Sequence, residues 1–338
     1  MEILKNQPLA SHITMKLGGD ASYMAEVTTE SDLQEAIAFA KERSLNVMVL
    51  GGGSNIIFGD KGYDGLVIIN EIKGVTIDEQ SGVVRAGSGE NWDDLVAASV
   101  AHNLAGIEAL SLIPGTVGAA PVNNIGAYGQ EVKDTITRVR AYDTQANAMV
   151  ELTNEECQFS YRNSVFKTLQ YGRYIITSVT FQLHVADDAY SPPSYASVQT
   201  MLQNQYITEP SVNTIRDIVI NIRKAKLPDP AVLANTGSFF KNPIVTKDIC
   251  NNLLLSYPTM PYFEHNNNVK LAAGWLIEAA GLKGLSKDGI RVYDKQALVL
   301  VNDGTRSFQS LLNMKNLIQQ TVFDKFGVML EPEPEIIA

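Results

Sequence analysis

The pentapeptide Gly51-Gly52-Gly53-Ser54-Asn55 lies between two stretches of strand character, Val47-Met48-Val49-Leu50 and Ile56-Ile57-Phe58. Glycines let backbone N–H groups approach a pyrophosphate closely, and Ser54 and Asn55 add donors, so the segment suits a dinucleotide. A P-loop would require Gly-Lys followed by Ser or Thr, and a Rossmann fingerprint would require a helix after its glycines. The sequence has neither pattern at this point. Taken alone, the cluster is equally typical of a tight turn.

Local patterns on both sides of this cluster predict helices and strands. A helix is expected from about 32 to 43, because Ser31-Asp32-Leu33-Gln34 has capping-box spacing before an apolar periodicity. A strand at 83–87 precedes Asn91, which is expected to cap a second helix. Apolar residues at helical spacing within 269–280, followed by Gly281, predict a third helix. The polar, proline-containing stretch 187–200 is expected to be an exposed loop.

A second unusual segment runs from Ser111 to Gly129, in which no side chain carries a formal charge. Glycines punctuate it throughout, as in Ile113-Pro114-Gly115-Thr116-Val117-Gly118. Such a segment can wrap a flat ring and its phosphates without placing a carboxylate against them. A buried loop between two strands would have the same composition, so this alternative stays open.

Composition limits the classes of partner. The chain has 338 residues, 45% of them apolar, which is enough for several cores in two or three domains. A formal charge of −10 argues against nucleic acid, whose binding needs a basic face. The chain lacks a signal-like N-terminal run and a membrane-length apolar stretch, so a cytoplasmic location is expected. Cys157 and Cys250 are too few for a disulfide framework and have no companions for a metal site.

The glycine cluster and the neutral segment are two of several motifs that, in this order, resemble the UDP-N-acetylenolpyruvoylglucosamine reductase family. The motifs occupy residues 51–55, 87–92, 113–118, 124–129, 161–167, 226–230, 235–243 and 270–278. Together they extend over nearly the whole chain, and the loop around Tyr195 is similar to the longer of the family's two types.

The resemblance implies an α+β fold, namely a vanillyl-alcohol-oxidase-like FAD-binding scaffold of two α+β domains plus a C-terminal α+β substrate domain. The expected FAD-binding subdomains are 1–70 and 71–225, and the expected substrate-binding domain is 226–324. Residues 325–338 are expected to return to the active site.

The resemblance also implies an activity. The family reduces UDP-N-acetylglucosamine enolpyruvate to UDP-N-acetylmuramate in peptidoglycan precursor synthesis, with FAD as cofactor and NADPH as hydride donor. The hydride reaches C3 of the enolpyruvyl group and a proton reaches C2. Noncovalent FAD is expected because neither motif loop contains a histidine or cysteine for attachment. No nucleic acid, membrane or obligate protein partner is expected.

Three residues match the family's catalytic positions. Arg162 is expected to bind the enolpyruvyl carboxylate through its planar guanidinium, Ser238 to donate the proton, and Glu333 to help stabilise the intermediate. Without the motifs, these residues would be interpreted as a surface ion pair, part of a turn and part of an acidic tail. Pro334 departs from the family, whose residue at that position is usually apolar and strand-forming, so Glu331 remains an alternative to Glu333.

Further candidates come from the matching motif positions. The cofactor candidates are Gly51, Gly52, Gly53, Ser54, Asn55, Gly115, Thr116, Gly118, Asn123, Gly126 and Tyr128. The substrate candidates are Tyr161, Tyr195, Lys226, Asn242, Tyr262, Lys270, Lys283 and Gln296. Lysines suit a diphosphate, and tyrosines can stack on uracil or cover the sugar.

Two other functions share these features. An FAD oxidase on the same scaffold would use O₂ as acceptor, although the Ser238 motif and the missing flavin-linking histidine argue against it. A noncatalytic flavin-binding or UDP-sugar-binding module would not need Arg162, Ser238 and Glu333. The residues alone determine neither the choice between NADPH and NADH nor the oligomeric state.

Overall fold

The computed structural model describes residues 1–187 and 190–338. Within them the chain forms two compact units. The first unit comprises Met1–Gln7, Ala21–Gly52 and Asp64–Ala225, and the second comprises Pro8–Asp20, Gly53–Tyr63 and Lys226–Ala338. The glycine cluster therefore contributes Gly51 and Gly52 to the first unit and Gly53, Ser54 and Asn55 to the second. The division of 1–225 into two FAD-binding subdomains stays a prediction.

Two sheets organise the first unit. The four-stranded sheet has the order Ile3–Pro8, Asp20–Val27, Tyr63–Asn70 and Asn46–Leu50, with the last two strands parallel. The five-stranded antiparallel sheet has the order Ala148–Thr153, Ile136–Asp143, Tyr174–Gln182, Val83–Gly87 and Val75–Ile77. Two short antiparallel pairs join Gly126–Ala127 to Gln130–Glu131 and Leu104–Ala105 to His184–Val185.

Among its described residues, the first unit contains five helices, of which Glu30–Glu42 and Trp92–Ala101 share buried clusters with strands of these sheets. They are Glu30–Glu42, Trp92–Ala101, Ala119–Val122, Ala196–Asn204 and Val212–Lys226, together with the 3-10 turns Glu108–Leu110, Val132–Asp134 and Val165–Lys167. Asn91 caps its helix as predicted, because its side-chain oxygen accepts from the backbone N–H groups of Asp93 and Asp94. Trp92 packs against Phe181 in the core of the five-stranded sheet.

Two boundary predictions in this unit are wrong. The first helix begins at Glu30, two residues earlier than expected, because Thr29 rather than Ser31 is the cap and forms a reciprocal capping box with Asp32. The expected loop at 187–200, of which 188 and 189 lie outside the described residues, is wrong at its end, because the helix Ala196–Asn204 starts inside it, immediately after Tyr195. Val198 and Leu202 bury one face of that helix, a four-residue apolar spacing that the polar composition obscured.

The second unit has a separate core. One antiparallel sheet has the order Asn235–Ser238, Val299–Asn302, Ile290–Val292 and Ser286–Lys287, and another has the order Ile244–Val245, Asn268–Leu271 and Tyr262–His265. The strands Glu335–Ile337 and Ile56–Phe58 form a parallel pair. The helices are Lys247–Ser256, Ala273–Ala279 and Phe308–Phe326, and the 3-10 turn is Leu9–Ser11.

The predicted helix within 269–280 is partly wrong. Val269 lies in the strand Asn268–Leu271, and the helix spans only Ala273–Ala279. Val269 and Ala273 are both buried and four residues apart, so a strand that turns directly into a helix imitated helical spacing.

No helix in 1–187 or 190–338 is both long enough and apolar enough to span a bilayer.

Candidate functional site

In the first unit, the end of the strand Asn46–Leu50 meets the neutral segment backbone to backbone. A Cβ added to Gly52 would lie 2.9 Å from the Cα of Gly115, so only glycine permits this approach. The backbone N–H of Trp92 donates to the Gly115 carbonyl at 3.1 Å, and that of Gly118 donates to the Ser88 carbonyl at 2.9 Å. The motif at 87–92 therefore holds the neutral segment by main-chain hydrogen bonds.

Arg162 is fixed by the second half of the neutral segment. Its Nη2 donates to the Gly126 carbonyl at 2.7 Å and its Nη1 to the Asn124 carbonyl at 3.4 Å. Its own backbone has a φ of 54°, in the left-handed region that few residues with a Cβ occupy. The Tyr161 ring lies 5.3 Å from the centre of this guanidinium. Burial opposes ionisation of Glu131, but the hydrogen bond and charge of Lys133, the Asn124 amide and, last, the charge of Arg162 lower the pKa of Glu131 overall. A cation in this position is attached to the loop rather than free on the surface.

Two more predicted residues meet beside this loop. The rings of Tyr128 and Tyr195 pack edge to face, with centroids 5.5 Å apart. Burial raises the pKa of the Tyr128 hydroxyl, while a hydrogen bond and the charge from Arg223 partly oppose it. Burial lowers the pKa of Arg223 in turn, with Tyr128 acting in the opposite direction. Tyr195 itself stays 39% exposed, so it can meet a ligand from solvent.

In the second unit, Ser238 and Glu333 are linked through one residue. Ser238 ends the strand Asn235–Ser238, where it pairs with Val299. The next residue, Phe239, accepts from the backbone N–H of Glu333 at 2.9 Å, and the N–H of Lys241 donates to the Glu331 carbonyl at 2.9 Å. The C-terminal segment therefore lies alongside the chain that follows Ser238, with Glu333 at the end near the serine.

The C-terminal segment also pairs with the strand after the glycine cluster, which the sequence did not predict. The backbone N–H of Glu335 donates to the Asn55 carbonyl at 2.9 Å, and the Asn55 amide donates to the Glu333 carbonyl at 3.4 Å. Pro334 is tolerated because the strand proper begins only at Glu335. Glu331, by contrast, has a side chain that is 75% exposed and lies 3.7 Å from Lys241. Glu333 is half-buried, and the choice between the two carboxylates stays a prediction.

Several substrate candidates of the second unit have structural contacts of their own. The Asn242 side-chain oxygen accepts from the backbone N–H of Ala273 at 2.9 Å, at the start of the helix Ala273–Ala279. Lys283 forms an ion pair with Glu278 at 2.9 Å. The Gln296 side-chain oxygen lies 2.9 Å from where a Gly274 Cβ would be. Gly274 thus leaves room for Gln296 at that helix.

Tyr262 and Lys270 share a sheet but not a face. Tyr262 pairs with Leu271, whereas Lys270 pairs with Phe263 on one side and with Ile244 on the other. Cross-strand partners share a face and neighbours along a strand alternate, so the register places Tyr262 and Lys270 on opposite faces. Lys226 ends the helix Val212–Lys226, and the role of Lys226, Tyr262 and Lys270 in binding the substrate stays a prediction.

The structure thus distributes the predicted site residues between the units. Those of the first unit are Gly51, Gly52, Gly115, Thr116, Gly118, Asn123, Gly126, Tyr128, Tyr161, Arg162 and Tyr195. Those of the second are Gly53, Ser54, Asn55, Lys226, Ser238, Asn242, Tyr262, Lys270, Lys283, Gln296 and Glu333. Asn123 is buried, and its side-chain oxygen accepts from Lys167 at 2.8 Å, a contact that the sequence analysis missed although Lys167 ends the same motif as Arg162.

Comparison with known proteins shows which class of protein has this site. Residues 21–151 match the family described as an FAD binding domain, and residues 229–337 match the family described as UDP-N-acetylenolpyruvoylglucosamine reductase, C-terminal domain. The chain is therefore an FAD-dependent oxidoreductase.

Relatives over the full length define the family more narrowly. A protein of Ralstonia nicotianae named UDP-N-acetylenolpyruvoylglucosamine reductase is 46% identical, with 98% of each chain covered. A protein of the same name from Cupriavidus pinatubonensis is 43% identical, again with 98% of each covered. The chain belongs to the UDP-N-acetylenolpyruvoylglucosamine reductase family. The resemblance found in the motifs is thereby confirmed.

A solved structure agrees with the fold class. The reductase of the same name from Thermus caldophilus has a TM-score of 0.70 at 23% identity, with 100% of this chain and 98% of that chain covered. At this identity the likeness concerns the fold alone. It confirms the predicted α+β class, with an FAD-binding scaffold and a distinct C-terminal region.

The residues of the first unit fit FAD. The loops at Gly52 and Gly115 meet at backbone distance, and glycine-rich main chain without Cβ atoms is suited to close approach by a pyrophosphate. The segment 111–129 has no formal charge, so no carboxylate of that segment opposes the phosphates. Thr116 and Asn123 add polar side chains along the same segment.

Proposed function

We propose that the chain reduces UDP-N-acetylglucosamine enolpyruvate to UDP-N-acetylmuramate, with NADPH as hydride donor and noncovalently bound FAD, in cytoplasmic synthesis of peptidoglycan precursors. Family membership supports the reaction, and the absence of histidine and cysteine from 51–55 and 111–129 supports noncovalent binding. The division into 1–70 and 71–225 for FAD, 226–324 for substrate and 325–338 returning to the site belongs to the same proposal.

The observation that carries this proposal is the backbone link from Ser238 through Phe239 to Glu333. Protonation of a carbon next to a carboxylate requires a nearby acid, and a positioned serine hydroxyl can supply it because the enolate-like carbon is strongly basic. Glu333 is proposed to stabilise the intermediate during that transfer. The Glu333 backbone N–H donates to the Phe239 carbonyl, and the Asn55 side-chain amide donates to the Glu333 carbonyl. These bonds support a fixed backbone from which the carboxylate projects.

Arg162 is proposed to bind the enolpyruvyl carboxylate. Negative charge moves onto this carboxylate as the reaction proceeds, and a preorganised guanidinium binds the more charged state more tightly. Hydrogen bonds from Arg162 to the Gly126 and Asn124 carbonyls support this role, because they fix the side chain before substrate arrives.

When bound, FAD supplies the two-electron carrier between NADPH and the enolpyruvyl group. The backbone of Gly51, Gly52, Gly53, Gly115 and Gly118 and the side chains of Ser54, Asn55, Thr116 and Asn123 are proposed to hold it. Gly126 and Tyr128 are proposed to border its ring. The main-chain approach of Gly52 to Gly115 supports this assignment.

The nucleotide sugar is proposed to be held by charged and aromatic side chains. Lys226, Lys270 and Lys283 suit the diphosphate as point charges, and Tyr262 suits stacking on the uracil. Tyr161, Tyr195, Asn242 and Gln296 complete the set. Tyr195 is partly exposed and packs on Tyr128, which supports a role as a movable cover.

The proposal is tested by anaerobic mixing in two steps. NADPH should bleach the flavin absorbance, and the enolpyruvyl substrate should then restore it. Restoration by O₂ alone, with none by the substrate, would indicate an oxidase, and a flavin that NADPH fails to bleach would indicate a binding module. Acid precipitation should release the flavin into the supernatant. Flavin that stays with the denatured protein would overturn the noncovalent assignment.

A further inference from the structure

Glu108 is a buried carboxylate outside the proposed reaction site, with only 1% of its surface exposed. Its carboxylate oxygens accept from the Gly106 backbone N–H at 2.6 Å, from the Gln130 amide at 2.8 Å and from the Tyr190 hydroxyl at 2.9 Å. Three donors directed at one buried carboxylate make it a junction between separate chain segments.

Two of these donors belong to segments that carry tyrosines of the proposed site. Gln130 stands two residues after Tyr128, and its own side-chain oxygen accepts from the Ala109 backbone N–H at 2.9 Å. Tyr190 stands five residues before Tyr195. The Tyr128 and Tyr195 rings are in contact, so the two segments are joined at Glu108 and again at the ring pair.

The chain between Tyr190 and Tyr195 is stiff enough that the position of Tyr190 affects the position of Tyr195. It contains Pro192 and Pro193, whose fixed φ angles stiffen the segment, and Gln199 donates to the Pro193 carbonyl at 2.9 Å. Tyr190 packs against both hydrophobic clusters that flank this region. Burial, with the Glu108 charge and hydrogen bond, raises the pKa of Tyr190, so its hydroxyl stays protonated and continues to donate.

We propose that Glu108 is a positioning residue for substrate capture, which fixes the start of the Tyr195 segment through Tyr190 and the Tyr128 loop through Gln130. The inference rests on the proposed function, because it assumes that Tyr195 covers the nucleotide sugar. Glu108 does not touch the substrate in this scheme. It sets the fraction of molecules in which Tyr195 lies against Tyr128, ready for the ligand.

The direct test is Tyr190→Phe, which removes one hydrogen bond and keeps the ring packing. If the competent arrangement falls to between a tenth and a third of molecules, KM for the enolpyruvyl substrate rises about three- to tenfold. Flavin content and the rate of flavin reduction by NADPH should stay unchanged. Glu108→Gln should raise KM at least as much, because an amide N–H₂ would then face the donors; if this variant fails to fold, Tyr190→Phe alone decides.

A double-mutant cycle distinguishes positioning from general stability. In a Tyr195→Ala background, Tyr190→Phe should change KM by less than about twofold, because the side chain through which it acts is gone. Tyr142→Phe is the matched control, since it deletes another buried tyrosine hydroxyl in the same unit, bonded to Asn147 at 2.6 Å. It should leave KM unchanged.

The outcomes separate this inference from the proposed function. Equal KM increases in both backgrounds, or an unchanged KM in Tyr190→Phe, would overturn the positioning role while leaving the reaction in place. An unchanged KM in Tyr195→Ala would remove Tyr195 from the substrate site and overturn the inference with it. A wild-type enzyme whose flavin NADPH bleaches but which never reduces the enolpyruvyl substrate would overturn both.

Discussion

Two regions of the molecule hold their proposed catalytic groups in different ways. In the second unit, the segments that carry Ser238 and Glu333 are joined by backbone hydrogen bonds, from the Glu333 N–H to the Phe239 carbonyl and from the Glu335 N–H to the Asn55 carbonyl. In the first unit, Arg162 is placed by its own guanidinium, which donates to the carbonyls of Gly126 and Asn124. Main-chain bonds survive a change of side chain, whereas side-chain bonds are lost with the group that makes them.

This difference decides what a substitution can measure. Replacing Ser238 or Glu333 should remove chemistry and leave the local fold intact, so the kinetic loss can be attributed to the missing group. Replacing Arg162 should disturb the loop as well as the chemistry, so the same experiment reports a mixture.

The largest effect is expected for Ser238→Ala. Flavin reduction by NADPH should be nearly unchanged, while reoxidation by the enolpyruvyl substrate should slow by roughly 10²–10⁴-fold, the usual cost of lost general-acid catalysis. Stopped-flow absorbance of each half-reaction measures both rates. Ser286→Ala, in a short exposed strand of the same unit, is the control and should alter neither. Equal slowing of both half-reactions would make Ser238 a binding or folding residue.

Glu333→Ala should show the same asymmetry, with reoxidation slowed by roughly a hundredfold. Glu331→Ala is the matched control two residues away, and it should be mild because the Glu331 side chain is 75% exposed and its ion pair with Lys241 is 3.7 Å long. The same stopped-flow measurement applies. If Glu331→Ala were instead the variant with slow reoxidation, Glu331 and not Glu333 would be the carboxylate that stabilises the intermediate.

Arg162→Lys tests the loop of the first unit that the Arg162 side chain holds by hydrogen bonds. Lysine keeps the positive charge but lacks the second N–H-bearing arm of the planar guanidinium. A lost hydrogen bond from a charged group costs about 1.5–3 kcal/mol, which corresponds to a roughly ten- to hundredfold change in an equilibrium or rate constant. We expect weaker FAD retention and slower reoxidation together, measured by flavin titration and stopped flow. Arg173→Lys alters another forked arginine, bonded to Asp143, and should leave both readouts unchanged. Normal FAD retention in Arg162→Lys would show that the loop does not depend on this side chain.

The sequence predicted features that depend on neighbours along the chain. Asn91 as a helix cap and the strand Ile56–Phe58 directly after the glycine cluster were both correct, because each depends on a few adjacent residues. Pairing of Glu335–Ile337 with Ile56–Phe58 was not predicted, because no local periodicity encodes a partner so distant along the chain. The motifs supplied the candidate residues, but only the structure gives the contacts of Arg162 with Gly126 and of Glu333 with Phe239.

Lys226 and Lys270 extend the test to substrate binding. Neutralising either lysine to methionine should raise KM for the nucleotide sugar about tenfold to hundredfold, the value of one charge-assisted contact, and leave FAD content unchanged. Lys287→Met, in an exposed strand of the same unit, is the control. Because Lys270 and Tyr262 lie on opposite faces of their sheet, Tyr262→Ala need not reproduce the Lys270 effect. Unaltered KM in both lysine variants would remove them from the site.

The smallest effect on catalysis is expected for Asp143→Asn, because no catalytic role is proposed for the ion pair between Asp143 and Arg173. Hydrogen bonds from Arg173 lower the pKa of this buried carboxyl to about 2, although burial opposes the shift. A carboxyl whose pKa is lower in the folded state stabilises the protein above its unfolded pKa of about 3.9, and this contribution disappears as pH falls toward 2. Asp143→Asn should therefore cost about 2 kcal/mol at pH 7.

Urea unfolding at several pH values measures this contribution. The gap in unfolding midpoint between wild type and Asp143→Asn should be constant from pH 7 to 5 and narrow below about pH 4. Glu79→Gln, in an exposed pair with His102, should change the midpoint little because surface ion pairs contribute little. Both half-reactions should keep wild-type rates in Asp143→Asn. A slowed half-reaction in Asp143→Asn would mean that side-chain contacts elsewhere in the first unit also affect the flavin-binding loops. The dependence on side-chain hydrogen bonds would then be a property of the whole first unit and not of Arg162 alone, in contrast to Ser238 and Glu333, whose segments are joined by backbone hydrogen bonds.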